Sequence, residues 1–376
     1  MKITRIAAVP IKLPVQVDIA GTGSVEQSIR ACLVRVETST GLCGHGLTSI
    51  TDEQVIATAV NEVAGPALVG QDALNHEALW DLLYWRMCPR GQTGYGMHAV
   101  AALDVALWDI KGKALGQPVW RLLGGARARV PVYATFGFDF LDRETLAQAA
   151  KTLSDEGYRH LKMVVGHQAL QRRDRGGPSL DEVIAEDERR VRAVRDAVGD
   201  SADLYIDANC SLDAFHAERL ATRLSDCRIA FFEEPVTQND IPAMARLRQR
   251  CGIAVAAGQN EGLAFRFRDM LLREAVDFLQ PNVVIGGGYT QCLRIAGLAS
   301  AFNVPITNGG AFPLHNMHLH AGLANGGKVE WHLPTVALMR RLFDGFPEPA
   351  GGWLALPEAP GLGFEPSSET QALLGG

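Results

Sequence analysis

DLYIDANCSLDAFHAERLATRLSDCRIAFFEEP, residues 203–235, decides the fold. It passes from a short apolar run (203–207) through an amphipathic stretch to a second apolar run (229–232). That is the pattern of a strand, a helix and a strand. Outward from it the unit repeats. VPVYAT (130–135), HLKMVV (160–165), IAVA (253–256), DFLQ (277–280), VPIT (304–307) and KVEWH (328–332) bring the runs to eight. Helical stretches such as LDRETLAQAAKTLSDEGY (141–158) separate them, and Asp142 stands where a helix N-cap belongs. Eight evenly spaced units are the count of a closed α/β barrel; a doubly wound open sheet rarely needs so many.

The chain before this region has another pattern. MKITRIAAVPIKL (1–13) alternates loosely, and ACLVRVETSTGLCGHG (31–46) predicts a hairpin turning at Thr40-Gly41. Between them DIAGTGSVEQS (18–28) predicts a polar, mobile loop. Residues 52–66, 72–88 and 97–116 have helical period, the last ending at Gly116-Gln117-Pro118. The expected organisation is an α+β domain over 1–125, a barrel over 126–345, and a Pro/Gly-rich tail, 346–376, packed back on the first domain.

Composition is that of an ordinary globular protein, 47% hydrophobic and 21% charged, with a net charge of -6. No basic surface suggests nucleic acid. No window approaches 18 uninterrupted apolar residues, so no membrane span is expected. The N-terminal apolar run is broken by Pro10 and Lys12 and reads as a strand rather than a signal peptide. Seven scattered cysteines without a CxxC pair fit reduced thiols and a cytoplasmic location.

In a barrel, chemistry sits at the C-terminal ends of the strands. Three successive strands end in oxygen ligands, Asp207, Glu233 and Gln259, a hard donor set suited to Mg²⁺. The other ends carry Lys162 and Glu330, and Asn209, Asn282 and Asn308 as candidate substrate contacts. The segment 315–320 holds His315 and His318 on one helix face, as zinc ligands can be. No Cys or acid stands near them in sequence, so packing, capping or substrate contact is the favoured reading. His45, in GLCGHGL, lies on a loop that faces substrate in this reading. His332 alternates to the side of Glu330, where substrate contact and simple burial both stay open. The GGG at 286–288 lacks GxGxxG spacing and predicts a tight turn before a helix.

LDVALWDIKGKALGQPVWRLLGG (103–125), DANCSLD (207–213), FFEEP (231–235), AAGQNE (256–261) and GGGYTQCLRIAGLASAFNVP (286–305) resemble the mandelate racemase and muconate lactonizing enzyme branch of the enolase superfamily. The resemblance spans nearly the whole chain in motif order. It implies a (β/α)7β TIM-like barrel under an α+β N-terminal capping domain, a symmetric homo-oligomer, and a small-molecule carboxylate substrate. It also implies that DIAGTGSVEQS closes over substrate. The implied chemistry is proton abstraction beside a carboxylate, with Mg²⁺ stabilising an enediolate and a Lys or His as base.

Against that pattern several positions differ. Strand 2 ends Lys162-Met163-Val164 where the family has Lys-x-Lys, so the second lysine is Val164. The third metal ligand is Gln259 instead of Glu. The Asp–His pair of strands 6 and 7 reads Asn282 and Asn308, and Asn cannot take a proton at neutral pH. Glu330 matches the glutamate that hydrogen-bonds the enediolate, and Glu234 is placed to orient Lys162. Lys162 is then the surviving candidate base if its pKa is lowered, the alternative being a structural ion pair. His315 is a candidate replacement for the strand-7 base, reaching in from its loop. The expected activity is a Mg²⁺-dependent lyase or isomerase of a hydroxy-acid or sugar-acid, by dehydration or isomerisation rather than two-base racemisation. The alternative is a catalytically silent homologue that binds an acid ligand or serves a non-enzymatic role.

Overall fold

The computed structural model describes residues 1–89, 91–167, 169–172 and 176–375. Three antiparallel strands open the chain: β1 (Ile3–Asp18), β2 (Ser24–Thr38) and β3 (Cys43–Ser49). β1 and β2 run on to Asp18 and Ser24, so of DIAGTGSVEQS only 19–23 is a turn, closed by Ile19 N–H donating to Gly23 O at 2.9 Å. The mobile loop expected there is for the most part hairpin.

The sheet lies on the helix Tyr95–Leu115, which ends at Gly116 in the left-handed conformation (φ 62°). Contact is close because β3 carries glycine at alternate positions. A Cβ on Gly44 would sit 2.1 Å from Ala106 O, and one on Gly46 1.9 Å from Ala102 O. Ala102 and Ala106 are one helical turn apart, so period two on the strand meets period four on the helix.

The barrel follows: β4 (Arg129–Gly137), β5 (His160–Val164), β6 (Asp203–Asp207), β7 (Ile229–Glu233), β8 (Val255–Ala257), β9 (Phe278–Leu279) and β10 (Val329–His332), all parallel, in the order β10-β4-β5-β6-β7-β8-β9. The seventh run along the chain, VPIT, makes a single bridge, Leu279 to Ile306, instead of a strand. Pro305 has no N–H to give a ladder. The ring still closes there: Thr307 N–H donates to Leu279 O and Asn308 N–H to Lys328 O, both at 2.9 Å. Asp142 caps the helix Arg143–Asp155, accepting from Thr145 N–H.

Buried side chains join the two layers. Trp80 Nε1 donates to Gly287 O, Trp108 Nε1 to Thr290 Oγ1, and Thr290 donates to Asp104 from both its N–H and its Oγ1. The three glycines do open a helix, Gly288–Ala301, and Gly288 (φ 81°) leaves space for the Asp104 carboxylate, which a Cβ would meet at 2.1 Å. In the tail, Trp353–Ala355 pairs antiparallel with the start of β4, and Leu362 N–H donates to Asp109 Oδ1 at 2.9 Å. All seven cysteines are free. Among the described residues no helix is long and apolar enough to cross a membrane.

Candidate active site at the barrel mouth

Strand alternation builds the site in two levels. Tyr133, Tyr205 and Phe231 fill the barrel interior, the last two stacked at 4.1 Å. Two residues further along the same strands stand Thr135, Asp207 and Glu233, facing the same way as the aromatic floor. Asp207 and Glu233 are register partners, and so are Val164 and Asp207. A cavity of about 60 Å³ opens above them, lined by Ile50, Thr135, Val164, Asp207, Asn209, Gln259, Gly310, Ala311, Glu330 and His332.

Lys162 is buried beneath it. Its Nζ lies 2.8 Å from Glu233 Oε2, 2.9 Å from Glu330 Oε1 and 3.1 Å from Asp207 Oδ2. Burial alone would lower its pKa, but Glu233 and Glu330, with Tyr133 and Asp207 behind them, outweigh it and hold it well above the ordinary lysine value. Lys162 is therefore an ammonium held in an ion-pair cluster, which corrects the expectation of a lysine tuned to act as a base. Glu330 is corrected likewise. It accepts from Thr135 Oγ1 (2.6 Å) and Ala311 N–H (2.7 Å) as well as from Lys162. Burial raises its pKa, but Lys162, His332 and Thr135 together bring it below the usual range. An ionised carboxylate only accepts, so Glu330 is no hydrogen-bond donor here.

Glu234 does not orient Lys162. Its carboxylate turns the other way and accepts from Asn239 Nδ2 (2.9 Å), Gln259 Nε2 (3.0 Å), Asn260 Nδ2 and Cys210 Sγ. Burial and then Asp207 raise its pKa, while these hydrogen bonds work against them. Gln259 also donates to Asn209 Oδ1 at 3.4 Å, and Asn209 N–H donates to Asp207 Oδ1 at 2.8 Å.

The carboxylates outnumber the cations. Asp207, Glu233 and Glu330 face one ammonium, three carboxyl groups to one cation before Glu234 is counted. Burial and mutual repulsion push Glu233 well above the carboxylate range, and burial raises Asp207. Glu233 Oε1 is buried without a hydrogen-bond partner among the described residues, as are both amide atoms of the neighbouring Gln280. A surplus of buried oxygen donors with an orphaned carboxylate oxygen fits a hard cation.

The remaining candidates lie elsewhere. Asn282 and Asn308 do not line the cavity. Asn282 Nδ2 donates to the carbonyls of Gly309 and Gly310, and its Oδ1 accepts from Val284 N–H and Asn316 Nδ2. Asn308 bonds Gly309 O and Glu330 N–H. Both amides are spent on backbone, which overturns their expected substrate contact. His315 is enclosed by Phe343 and Phe364, with burial lowering its pKa to about 3, and does not reach the mouth. His318 bonds Leu362 O. Among the described residues no group of three or more His, Cys, Asp or Glu is arranged to hold a metal, neither around this pair nor around Asp207 and Glu233, where a third donor has to come from another residue type such as the Gln259 amide. His45 sits on β3 between Asp109 and Glu365, 3.8 and 3.6 Å away, also off the cavity. No residue of 18–28 lines it either.

His332 does line it. Its Nδ1 accepts from Thr335 N–H at the start of the helix Leu333–Leu342, and burial lowers its pKa to about 4. With Nδ1 accepting, a neutral ring carries its hydrogen on Nε2. The sequence signal was its period-two relation to Glu330. Ile50 and Thr135 carried no such signal.

Residues 2–124 match the mandelate racemase / muconate lactonizing enzyme N-terminal domain, and residues 144–370 match the enolase C-terminal domain-like family. Arabinonate dehydratase of Saccharolobus solfataricus is 27% identical over 91% of this chain and 90% of its own. The 3,6-anhydro-alpha-L-galactonate cycloisomerase of Streptomyces coelicolor is 33% identical over 77% and 76%. A crystal structure of a racemase from Streptomyces coelicolor A3(2) with bound magnesium superposes with a TM-score of 0.86 at 29% identity, covering 99% of each chain. Two matched halves, in the order and architecture of the barrel and its α+β partner, make this chain a member of the mandelate racemase / muconate lactonizing enzyme family of the enolase superfamily.

Proposed function

We propose that this protein is a Mg²⁺-dependent lyase or isomerase that dehydrates or cycloisomerises a sugar-acid carboxylate. The observation that carries the reading is the buried cluster of Asp207, Glu233, Glu330 and Lys162 at the mouth, over-supplied with carboxyl oxygen. Asp207, Glu233 and the carbonyl oxygen of Gln259 would hold the metal, which when bound supplies Lewis-acid stabilisation of charge developing on the substrate carboxylate. The chain's own groups bind and orient the substrate. The Lys162 ammonium offsets negative charge at the reacting end, and His332 Nε2–H and Asn209 bind the substrate's oxygens. Val164, Asn282 and Asn308 leave neither of the two bases that racemisation needs; elimination or ring formation needs only one acceptor for the proton beside the carboxylate, and the Glu330 carboxylate, which lines the cavity, would be that acceptor.

The cavity as it stands has room for about two waters, so a sugar acid enters only with widening of its lining, in which Ile50 has a φ of 59°, strained for a β-branched residue. The same commitment of Lys162 to ion pairs also supports a second reading, a homologue that binds an acid without turning it over.

Calorimetric titration of metal-free protein with Mg²⁺, alongside Asp207→Asn, tests the metal assignment. Binding is expected in the natural protein and a loss of at least about tenfold in affinity in the variant. Equal affinity in both would move the metal away from Asp207.

A further inference from the structure

We infer that Gln280 is a positioning residue for Glu233: its amide is the second fixed partner of that carboxylate, and residue 309 is glycine to keep room for it. The inference rests on the proposed metal reading for its consequence, but not for its geometry. Among the described residues Glu233 is anchored at one oxygen only. Oε2 accepts from Lys162 Nζ at 2.8 Å, while Oε1 is buried without a hydrogen-bond partner. A carboxylate held at one oxygen can turn about its last bond, whose torsion is soft. A carboxylate that is to ligate a cation has to be held, and a hydrogen bond from a neighbouring side chain is the usual means.

Gln280 is the group placed for the other oxygen. Phe278 packs against Phe231 in the aromatic floor, ring centroids 5.8 Å apart. Two residues further along these strands come Gln280 and Glu233, which by strand alternation face the same way as the rings below them. The Gln280 side chain is fully buried, and among the described residues neither atom of its amide has a hydrogen-bond partner. Orphaned buried amides are rare and need a reason. The two orphans share one space: a Cβ on Gly309 would lie 2.8 Å from Gln280 Nε2 and 3.1 Å from Glu233 Oε1. An amide donates to a carboxylate from Nε2 and accepts from a carboxylic acid at Oε1, so the pairing does not depend on the protonation state of Glu233. Gly309 keeps the space open. Its φ is outside the left-handed region, so room and not backbone conformation calls for glycine there. A Cβ would also press on Gln280 Cδ at 2.9 Å. The Gly309 carbonyl accepts from Asn282 Nδ2 at 2.7 Å and Asn308 Nδ2 at 2.9 Å, so the two asparagines fix the residue that faces both orphans.

Gln280→Met keeps the length of the side chain and removes both polar atoms, and two measurements test it. In titration with Mg²⁺ alone it is expected to weaken binding about tenfold relative to wild type. In metal-free protein the test is a cycle of wild type, Gln280→Met, Glu233→Met and the double exchange. Gln280→Met is expected to lower Tm by a few degrees in the wild-type background, where it takes a partner from Glu233, and to raise it in the Glu233→Met background, where it removes a buried amide with nothing to bond. A side chain that merely fills space would shift Tm alike in both. The same Tm change in the two backgrounds, or unchanged Mg²⁺ affinity of Gln280→Met beside a wild type that binds the ion, would overturn the inference. A wild type that binds no Mg²⁺ would sink the metal reading, and the Tm cycle alone would then decide the inference. Should Gln280→Met fail to fold, Gly309→Ala, which crowds the amide without altering its chemistry, takes its place in the titration with the same expected loss, and unchanged affinity there would overturn the inference.

Discussion

Lys162 shows what a residue's neighbours do to its chemistry. From the chain alone it is a lysine at a strand end, and base and ion pair are both open to it. The decision lies in Glu233, Glu330 and Asp207, which reach it from three other strands, a convergence no local pattern encodes. The oxygen donors themselves were legible, because barrel architecture assigns strand ends to the mouth and the residue types speak for themselves. Their protonation states were not, and so Glu330 was expected to donate where it accepts. Removing one partner of a buried ion cluster leaves the others uncompensated, at about 3–5 kcal/mol. Lys162→Met is therefore expected to lose that much stability in metal-free protein, read by denaturant unfolding, and to recover part of it in Mg²⁺ by mass action. A loss below about 1 kcal/mol would mean that the cluster is not held by its ammonium.

At the level of elements, most of what the sequence predicted depends on period. The runs at 203–207 and 229–232 became β6 and β7 because their alternation and length were clear. VPIT failed as a strand because Pro305 removes a donor, and DIAGTGSVEQS was underestimated because strand pairing, a non-local interaction, extends β1 and β2 past its polar residues. The helix Pro313–Gly322 is buried on every face, so its histidines could not be sorted by an amphipathic pattern. Burial lowers the His320 pKa from 6.5 to about 3, while Nδ1 accepts from Gly327 N–H. A depressed folded pKa gives stability that is present above 6.5 and is lost as pH falls toward the folded value. His320→Asn keeps the acceptor and cannot titrate. The stability of the wild type relative to this variant is expected to fall by about 1.4 kcal/mol per pH unit between pH 6.5 and 4. A difference flat with pH would show that His320 takes up its proton without unfolding.

For the whole molecule, the mouth of the barrel is roofed by the N-terminal layer through Ile50, and that layer is locked to the barrel by Asp104, Trp80 and Trp108. Access thus depends on a local shift near residue 50 rather than on separation of the layers, whose joints are buried hydrogen bonds. The architecture gathers charged groups at the base of the mouth, an arrangement suited to forming an anion beside a carboxylate. The most direct test is proton NMR in D₂O with Mg²⁺ and a panel of five- and six-carbon sugar acids, arabinonate among them, using wild type and Asp207→Asn. The account predicts loss of the signal of the proton beside the carboxylate, by exchange or elimination, for at least one acid with the wild type only. Unchanged spectra for every acid, from a protein shown to bind both Mg²⁺ and the acid, would contradict it and leave binding without turnover.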